Sequence, residues 1–338
     1  MSENKNKPLH MTSIGGQAVL EGVMMKGPSK SAIALRKPDG EIELKVTNNS
    51  SLVSKLKLKK IPIVRGVVAF IDSLVSGVGA TMYSAEFIDL EEDGEGEPSK
   101  FDMWIEKHFG KYLLNIIMWI SVVISLVLGI GLFMLLPTVI VGFIKNIFAG
   151  ETFIPVSESV SGAVLPVISH RVFTHFLESV IRIAIFLFYM ALVGKMKDMQ
   201  RVFEYHGAEH KTIACYEAGD ELTAENAKKH TRFHPRCGTS FLLIVMVVSI
   251  IVFAVLPWSD NVASRLFMRL ALLPVVAGLS YEIIKFAGRS KNKCVAWLTK
   301  PGLALQKLTT REPDEKQLEV AIASLKAVLP NDGEDDKW

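Results

Sequence analysis

A chain of 338 residues, 49% of them hydrophobic and with a formal net charge of +3, has the length for two domains, but its mean hydropathy of +0.31 points to a membrane protein. A charge so near balance argues against a dedicated nucleic-acid binder, and no DNA- or RNA-binding motif is present. The three cysteines, Cys215, Cys237 and Cys294, all fall in segments that the charge pattern below assigns to the reducing cytosol, so disulfides are not expected.

The first residues, Met1 to Pro8, are polar and lack the apolar core of a secretory signal peptide, which predicts a cytoplasmic N-terminus. Ser31 to Val46 alternates apolar and polar residues around Lys37-Pro38-Asp39-Gly40, a β-hairpin pattern. The preceding run from Gly15 to Pro28, with Gly15, Gly16, Gly22 and Gly27, supplies a further strand, its glycines marking bends or close backbone approach. Gln17 and Glu21 are candidate site residues there, although a small β-layer with glycine turns is the better account of them. Leu52 to Lys60 alternates leucine and lysine, as in an edge strand or a membrane-surface contact. From Pro62 to Phe87 the chain reads as a weakly apolar helix, interfacial or re-entrant, with Arg65 and Asp72 on one face.

Four apolar runs, Leu113 to Leu136, Val172 to Val193, Phe241 to Pro257 and Leu266 to Phe286, approach the ~20 residues needed to cross a bilayer. Buried core helices are the alternative, because the third run is short and the second and fourth carry charges. The Gly194 to Ser240 loop holds eight lysines and arginines, whereas Phe143 to Arg171 holds Lys145 and Arg171 alone. The positive-inside rule therefore puts the 194–240 loop and both termini in the cytosol. The acidic Glu91 to Glu97 stretch is expected to be a solvated linker, Phe101 to Lys111 an amphipathic lead-in to the first span, and His170 and His175 headgroup-level anchors. In the second span Arg182 lies near mid-bilayer and needs a partner. Glu178, one turn earlier, either pairs with it to line the bundle or belongs with it to a polar path or headgroup site. Arg269 and Glu282 pose the same question in the fourth span, and Glu282 is placed to lean toward the cytosolic site described next.

That site is the segment from His206 to Cys237, which carries four of the eight histidines and two of the three cysteines. It reads His206-Gly207-Ala208-Glu209-His210 and then His230-x-x-x-His234-Pro235-Arg236-Cys237. On a helix, His206 and His210 share a face with Glu209 beside them, the inverted form of a zinc-protease motif. Imidazole and thiolate suit zinc or another divalent transition metal, so His206, His210, His230, His234 and Cys237 are the candidate ligands and Glu209 the candidate catalytic base. Three protein ligands leave a place for water and make a hydrolase. Four, as in His206, His210, His234 and Cys237, close the site and make it structural. The second span is expected to continue helically from Gly194 to Tyr216, Thr223 to cap a helix through Lys229, and His234 to Gly238 to form a loop at the foot of the third span. Pro301 is placed to start one helix to about Leu329, with Leu318, Ile322, Leu325 and Leu329 docking on the chain's own cytosolic part.

Several strings then carry a resemblance. Gly15-Gly-Gln-Ala-Val-Leu-Glu-Gly-Val-Met-Met, Glu204-Tyr-His-Gly-Ala-Glu-His-Lys, His234-Pro-Arg-Cys-Gly-Thr-Ser, Ser280-Tyr-Glu and Leu308-Thr-Thr-Arg-Glu-Pro resemble the bacterial YqhQ-like membrane proteins (domain of unknown function 1385) over nearly the whole chain. The resemblance implies a multi-pass bacterial membrane location and a metal-dependent enzyme, and supplies no substrate.

The expected fold is mainly α, a polytopic helical membrane protein with about four transmembrane helices and a small cytosolic β-containing N-terminal region. Its expected divisions are a β-hairpin region (1–60), an interfacial helix and acidic linker (61–111), two spans (112–194), the metal-binding loop (195–240), two further spans (241–288) and a cytosolic tail (289–338). The expected location is the plasma membrane. The functional expectations are a zinc-dependent hydrolase acting on a small-molecule amide or ester near the membrane, or a metal-stapled scaffold that binds or helps assemble other membrane proteins. A transporter built around Arg182 and Glu282 is a third.

Overall fold

The structure, a computed structural model, describes residues 11–49, 61–87, 116, 119–148, 164–254, 261–289, 293–330 and 336. The expectations for 52–60, for the 91–97 linker, for 101–111 and for most of the 148–170 loop lie outside these residues. Among the described residues the chain is mainly α, with four helices long and apolar enough to cross a membrane and a four-stranded antiparallel sheet near its N-terminus. It divides into two compact units, one of residues 1–89, 190–248 and 274–338, the other of 90–189 and 249–273.

In the first unit, β1 (Gly15–Val19), β2 (Gly22–Lys26), β3 (Lys30–Arg36) and β4 (Ile42–Asn48) form a meander in the order β1-β2-β3-β4. The expected hairpin is β3–β4, and its turn is closed by the Gly40 N–H donating to the Lys37 carbonyl at 2.9 Å. The glycine-rich run before it is two strands rather than one, with Val19 opposite Gly22 across a two-residue turn. β2 has no polar alternation because both faces of the sheet are covered. Val23, Met25, Ala32 and Ala34 point to one core, while Met24 and Leu35 point to another with Val19 and Ala80. A two-sided burial of that kind turns period-2 alternation into a continuous apolar run.

The first core is closed by α4 (Lys197–Ala218), α5 (Ala224–Lys228) and α9 (Glu315–Val328). Tyr205, Met25, Leu318 and Leu325 are fully enclosed there, each such side chain contributing about 1.5–3 kcal/mol on burial. The second is closed by α1 (Val64–Ala85). Lys26 pairs with Asp72, and Gly77 lies against Gln17, so one face of α1 packs on the sheet while its hydropathy still suits a span. Among the described residues, the helices of membrane length are α1, the Trp119–Ile144 stretch (α2), α3 (Val164–Val193) and α7 (Val262–Arg289). The third expected span corresponds to α6 (Gly238–Ala254), an apolar helix with 17 described residues, and α1, expected to be interfacial or re-entrant, is also long and apolar enough to cross.

Two helices expected to be continuous are broken. α3 ends at Val193, and the turn at Gly194–Met196 separates it from α4. The tail holds α8 (Lys293–Thr309), with Pro301 inside it, and then α9, entered through a capping box of Asp314 and Gln317. Pro313 explains the second break, because it disfavours helix in the residue before it. The leucine stripe of α9 docks on the sheet as expected, with Leu318, Ile322 and Leu325 buried and Leu329 packed beside them.

In the second unit, α2 contains a π turn at Gly131–Leu135 and continues through Leu136–Phe148. Phe133 sits edge-on to Phe186 and Tyr189 of α3.

Candidate metal centre

α4 carries His206, Glu209 and His210 at i, i+3 and i+4, so the helix period alone brings them to one face. The rings of His206 and His210 lie 4.4 Å apart, centroid to centroid. The loop after α5 returns Cys237 to them. His206 Nε2 is 3.1 Å from Cys237 Sγ, and one ligand atom from each of His206, His210 and Cys237 falls within 4.8 Å of the others.

Both imidazoles are held from behind. His206 Nδ1 contacts the Thr309 carbonyl at 2.8 Å and His210 Nδ1 the Arg232 carbonyl at 2.6 Å. A carbonyl accepts only, so each Nδ1 carries the proton and each Nε2 presents a lone pair; backing by a carbonyl is how metal-binding histidines are usually oriented. His210 Nε2 and Glu209 Oε2 are buried with no hydrogen-bond partner, a costly arrangement unless something else satisfies them. Burial, then the neighbouring His206, holds His210 below the usual imidazole range. Burial pushes the Cys237 thiol up, but its electrostatic interaction with the adjacent His210 and the hydrogen bonds with Thr239 outweigh it and leave the thiol below its ordinary value. Two imidazoles held through Nδ1 and an easily ionised thiol are a donor set that fits zinc or a similar cation.

Of the other sequence candidates, His234 is near and differently engaged. Its ring is 5.5 Å from that of His210, but its Nε2 lies 3.3 Å from the Arg236 guanidinium and 3.8 Å from Glu217. Burial above all keeps it below the usual imidazole range. Glu217 also pairs with Arg236 and accepts from the Thr12 N–H at 2.8 Å, so this trio ties the N-terminal segment to the loop. His230 is not brought to the group. Its Nε2 is 2.8 Å from Asp220, and with Cys215 it makes a separate cluster. Burial raises the Cys215 thiol to about 11, so it is poorly prepared to bind a cation. Glu282 does not lean toward the site, because it is paired with Arg65.

Glu209 faces β1. A Cβ on Gly16 would stand 2.9 Å from the Glu209 side chain and 2.8 Å from the Met24 carbonyl, so only glycine lets the strand pass this closely. Burial drives the Glu209 carboxyl up to about 8, against the pull of His206; Cys237 adds to the rise, and the Gly16 N–H opposes it.

Four further positions shape the centre that spacing alone did not single out. Gln306 clamps the loop, accepting from the His234 N–H at 2.8 Å and donating to the His234 carbonyl at 2.7 Å. Lys211 donates to the carbonyls of Lys228 and His230 and pairs with Glu312. Thr309 supplies the carbonyl behind His206. Gly207 lets the segment between α8 and α9 cross α4, since a Cβ there would lie 2.0 Å from the Arg311 carbonyl oxygen. The one available signal was the glycine within the histidine motif.

A family profile described as "Protein of unknown function (DUF1385)" matches residues 61–331. The chain belongs to this family. It is also 32% identical, over 330 residues that cover 97% of this chain and 95% of the relative, to "Uncharacterized protein YqhQ" of Bacillus subtilis (strain 168). No solved structure matches. Neither description assigns a metal or a reaction, so the enzyme expectation rests on the centre's geometry.

Proposed function

We propose that this member of the DUF1385 family is a multi-pass plasma-membrane protein with cytoplasmic termini. In this reading it is a metal-dependent hydrolase of an amide or ester presented near the membrane. The observation that carries the reading is the pair of carbonyl-backed imidazoles whose Nε2 atoms converge with Cys237 Sγ. His206, His210 and Cys237 are the ligands, and His234, occupied by Arg236 and Glu217, stands outside them. Three protein ligands are the open arrangement of catalytic zinc sites. A divalent cation held there supplies the Lewis acidity that brings a water's pKa to about 7.

Glu209 is the base. Its carboxyl is poised near neutrality rather than at the usual carboxylate value, where a general acid and base works best. Thr309 and Arg232, through their carbonyls, fix the imidazoles, and Gln306 fixes the loop that carries Cys237.

The test replaces Glu209 by Gln and follows hydrolysis of p-nitrophenyl acetate and of a chromogenic anilide by the zinc-loaded protein. Loss of a general base predicts a fall of about 10²-fold or more with metal content unchanged. Equal rates in both proteins contradict the assignment. One observation favours a second reading, a metal-stapled scaffold for other membrane proteins: Glu209 and His210 are almost fully enclosed, as suits an ion that pins α4 to the 234–237 loop. Under that reading Glu209→Gln leaves function intact and only ligand replacement impairs it.

A further inference from the structure

The second unit holds an ionic cluster whose charges do not balance. Glu178 on α3 accepts from the Thr138 hydroxyl at 2.6 Å and takes the fork of Arg269, Nη1 to Oε1 at 2.6 Å and Nη2 to Oε2 at 2.8 Å. Arg182, one turn further along α3, reaches the same Oε1 at 3.3 Å. The side chains of Glu178, Arg182 and Arg269 expose 3%, 9% and 6% of their surface, so solvent does little to offset the imbalance. Glu178 is the single acidic residue among the described residues of this unit, whereas the cluster alone holds two arginines, Arg182 and Arg269. The nearest ionisable residues along the same helices, His175 and Arg265, are not acidic. Arginine does not relieve the excess by losing a proton.

The deficit sits at Arg182. Arg269 is satisfied by its fork, whereas Arg182 has one long bond to an oxygen that already accepts twice, and its Nε has no partner among the described residues. The ring of Phe253 lies 5.9 Å from the Arg182 guanidinium and 5.6 Å from that of Arg269, closing one side with apolar surface. Thr138, Glu178 and Arg269 each stand five or six residues inside the end of their span, about 8–9 Å along a helix. Arg182 itself stands nine residues inside its span, about 13–14 Å, and its long side chain covers part of that depth toward the headgroup level.

We propose that this cluster is a binding site for a phosphate-class oxyanion, with Arg182 as the group that grips it and Glu178, Thr138 and Arg269 as the frame that holds Arg182 in place. The guanidinium fork matches two phosphate oxygens, and a single negative charge neutralises the cluster. The same chemistry is offered by the phosphodiester of an anionic phospholipid and by free phosphate.

The full-length protein in detergent, stripped of lipid, is titrated in one arm with phosphatidylglycerol in mixed micelles and in the other with inorganic phosphate at constant ionic strength. Diacylglycerol is the phosphate-free control, and thermal unfolding is the readout. The wild type gains several degrees with at least one anion and nothing with diacylglycerol. Arg182→Gln loses the gain or needs about tenfold more anion, and without anion it melts no lower than the wild type, because it removes an unbalanced charge. Arg182→Lys keeps the charge, loses the fork and gives an intermediate half-saturation, which answers the question if the Gln variant does not purify. A response to phosphatidylglycerol alone identifies a lipid, and a response to phosphate identifies a free anion. No response to either in the wild type, or equal responses in wild type and both variants, overturns the proposal.

Discussion

Replacing Gly207 by Ala puts a methyl group where the structure leaves no room. The added Cβ would lie 2.0 Å from the Arg311 carbonyl oxygen, against the 3.4 Å of ordinary contact, and the obstacle is backbone rather than a flexible side-chain end. The 310–314 segment must therefore retreat by more than 1 Å, and it is tethered to α4 by the Arg311 N–H donating to the Phe203 carbonyl at 2.8 Å. Overpacking of this kind costs about 1–3 kcal/mol, and a backbone obstacle puts it at the upper end. For a body of about 200 residues that lowers the melting temperature by roughly 5–10 °C. The same retreat pulls the Thr309 carbonyl from His206 Nδ1, and loss of such a partner weakens metal binding by about 10–100-fold. Thermal unfolding in detergent and a competition titration with a zinc chelator read the two effects, with Gly79→Ala as a control in open space. A Gly207→Ala protein that melts with the wild type and holds zinc as tightly refutes this account of the glycine.

Cys237→Ser should lower zinc affinity by about 100-fold or more, whereas His234→Gln should change it by less than about tenfold while lowering the melting temperature, since His234 belongs to the Glu217–Arg236 trio; chelator competition separates them, and equal losses contradict a three-ligand centre. The pH dependence of the metal-free protein isolates Glu209. Its folded value of about 8 stands above the ordinary 4.5, so between these values the unfolded chain ionises while the native carboxyl stays protonated. Stability then falls as pH rises from 4.5 to 8 and levels above 8, a loss on the order of a few kcal/mol. Chelator-treated wild type should lose melting temperature relative to Glu209→Gln across that window, and parallel curves would contradict the burial assigned to this carboxyl. Burial also depresses His210 and His234, so stability from these neutral rings is present above about pH 6.5 and lost as pH falls below it; His234→Gln should flatten the acid side of the profile, and an unchanged acid limb would count against it.

What the sequence disclosed was set by local periodicity. The i, i+3, i+4 spacing of His206, Glu209 and His210 needs only a helix to make a face, and the Lys37–Gly40 turn needs only its own residues. Thr223 caps α5 as its place before a helical run implies, accepting from the Asn226 N–H. The apolar runs located α2, α3 and α7, because hydropathy is additive along the chain. Contacts between distant segments were not legible. Nothing in the spacing of His230 says that Asp220 will claim it, and nothing beside Glu282 says that Arg65, more than two hundred positions away, will pair with it. Gln306 and Thr309 show no motif, since their part is played by reach and by a backbone carbonyl. The break at Gly194 was hidden because the apolar run and the polar helix after it each read as helix. The double burial of β2 was hidden because a short apolar run does not say how many faces are covered.

X-ray absorption at the zinc edge, with elemental analysis of the purified full-length protein, tests the centre most directly. The predicted result is about one ion per chain, with two imidazole nitrogens, one sulfur and a remaining light-atom position, and loss of the sulfur shell in Cys237→Ser. Protein with no ion above background after zinc loading, or with a third imidazole in place of the light atom, would contradict it.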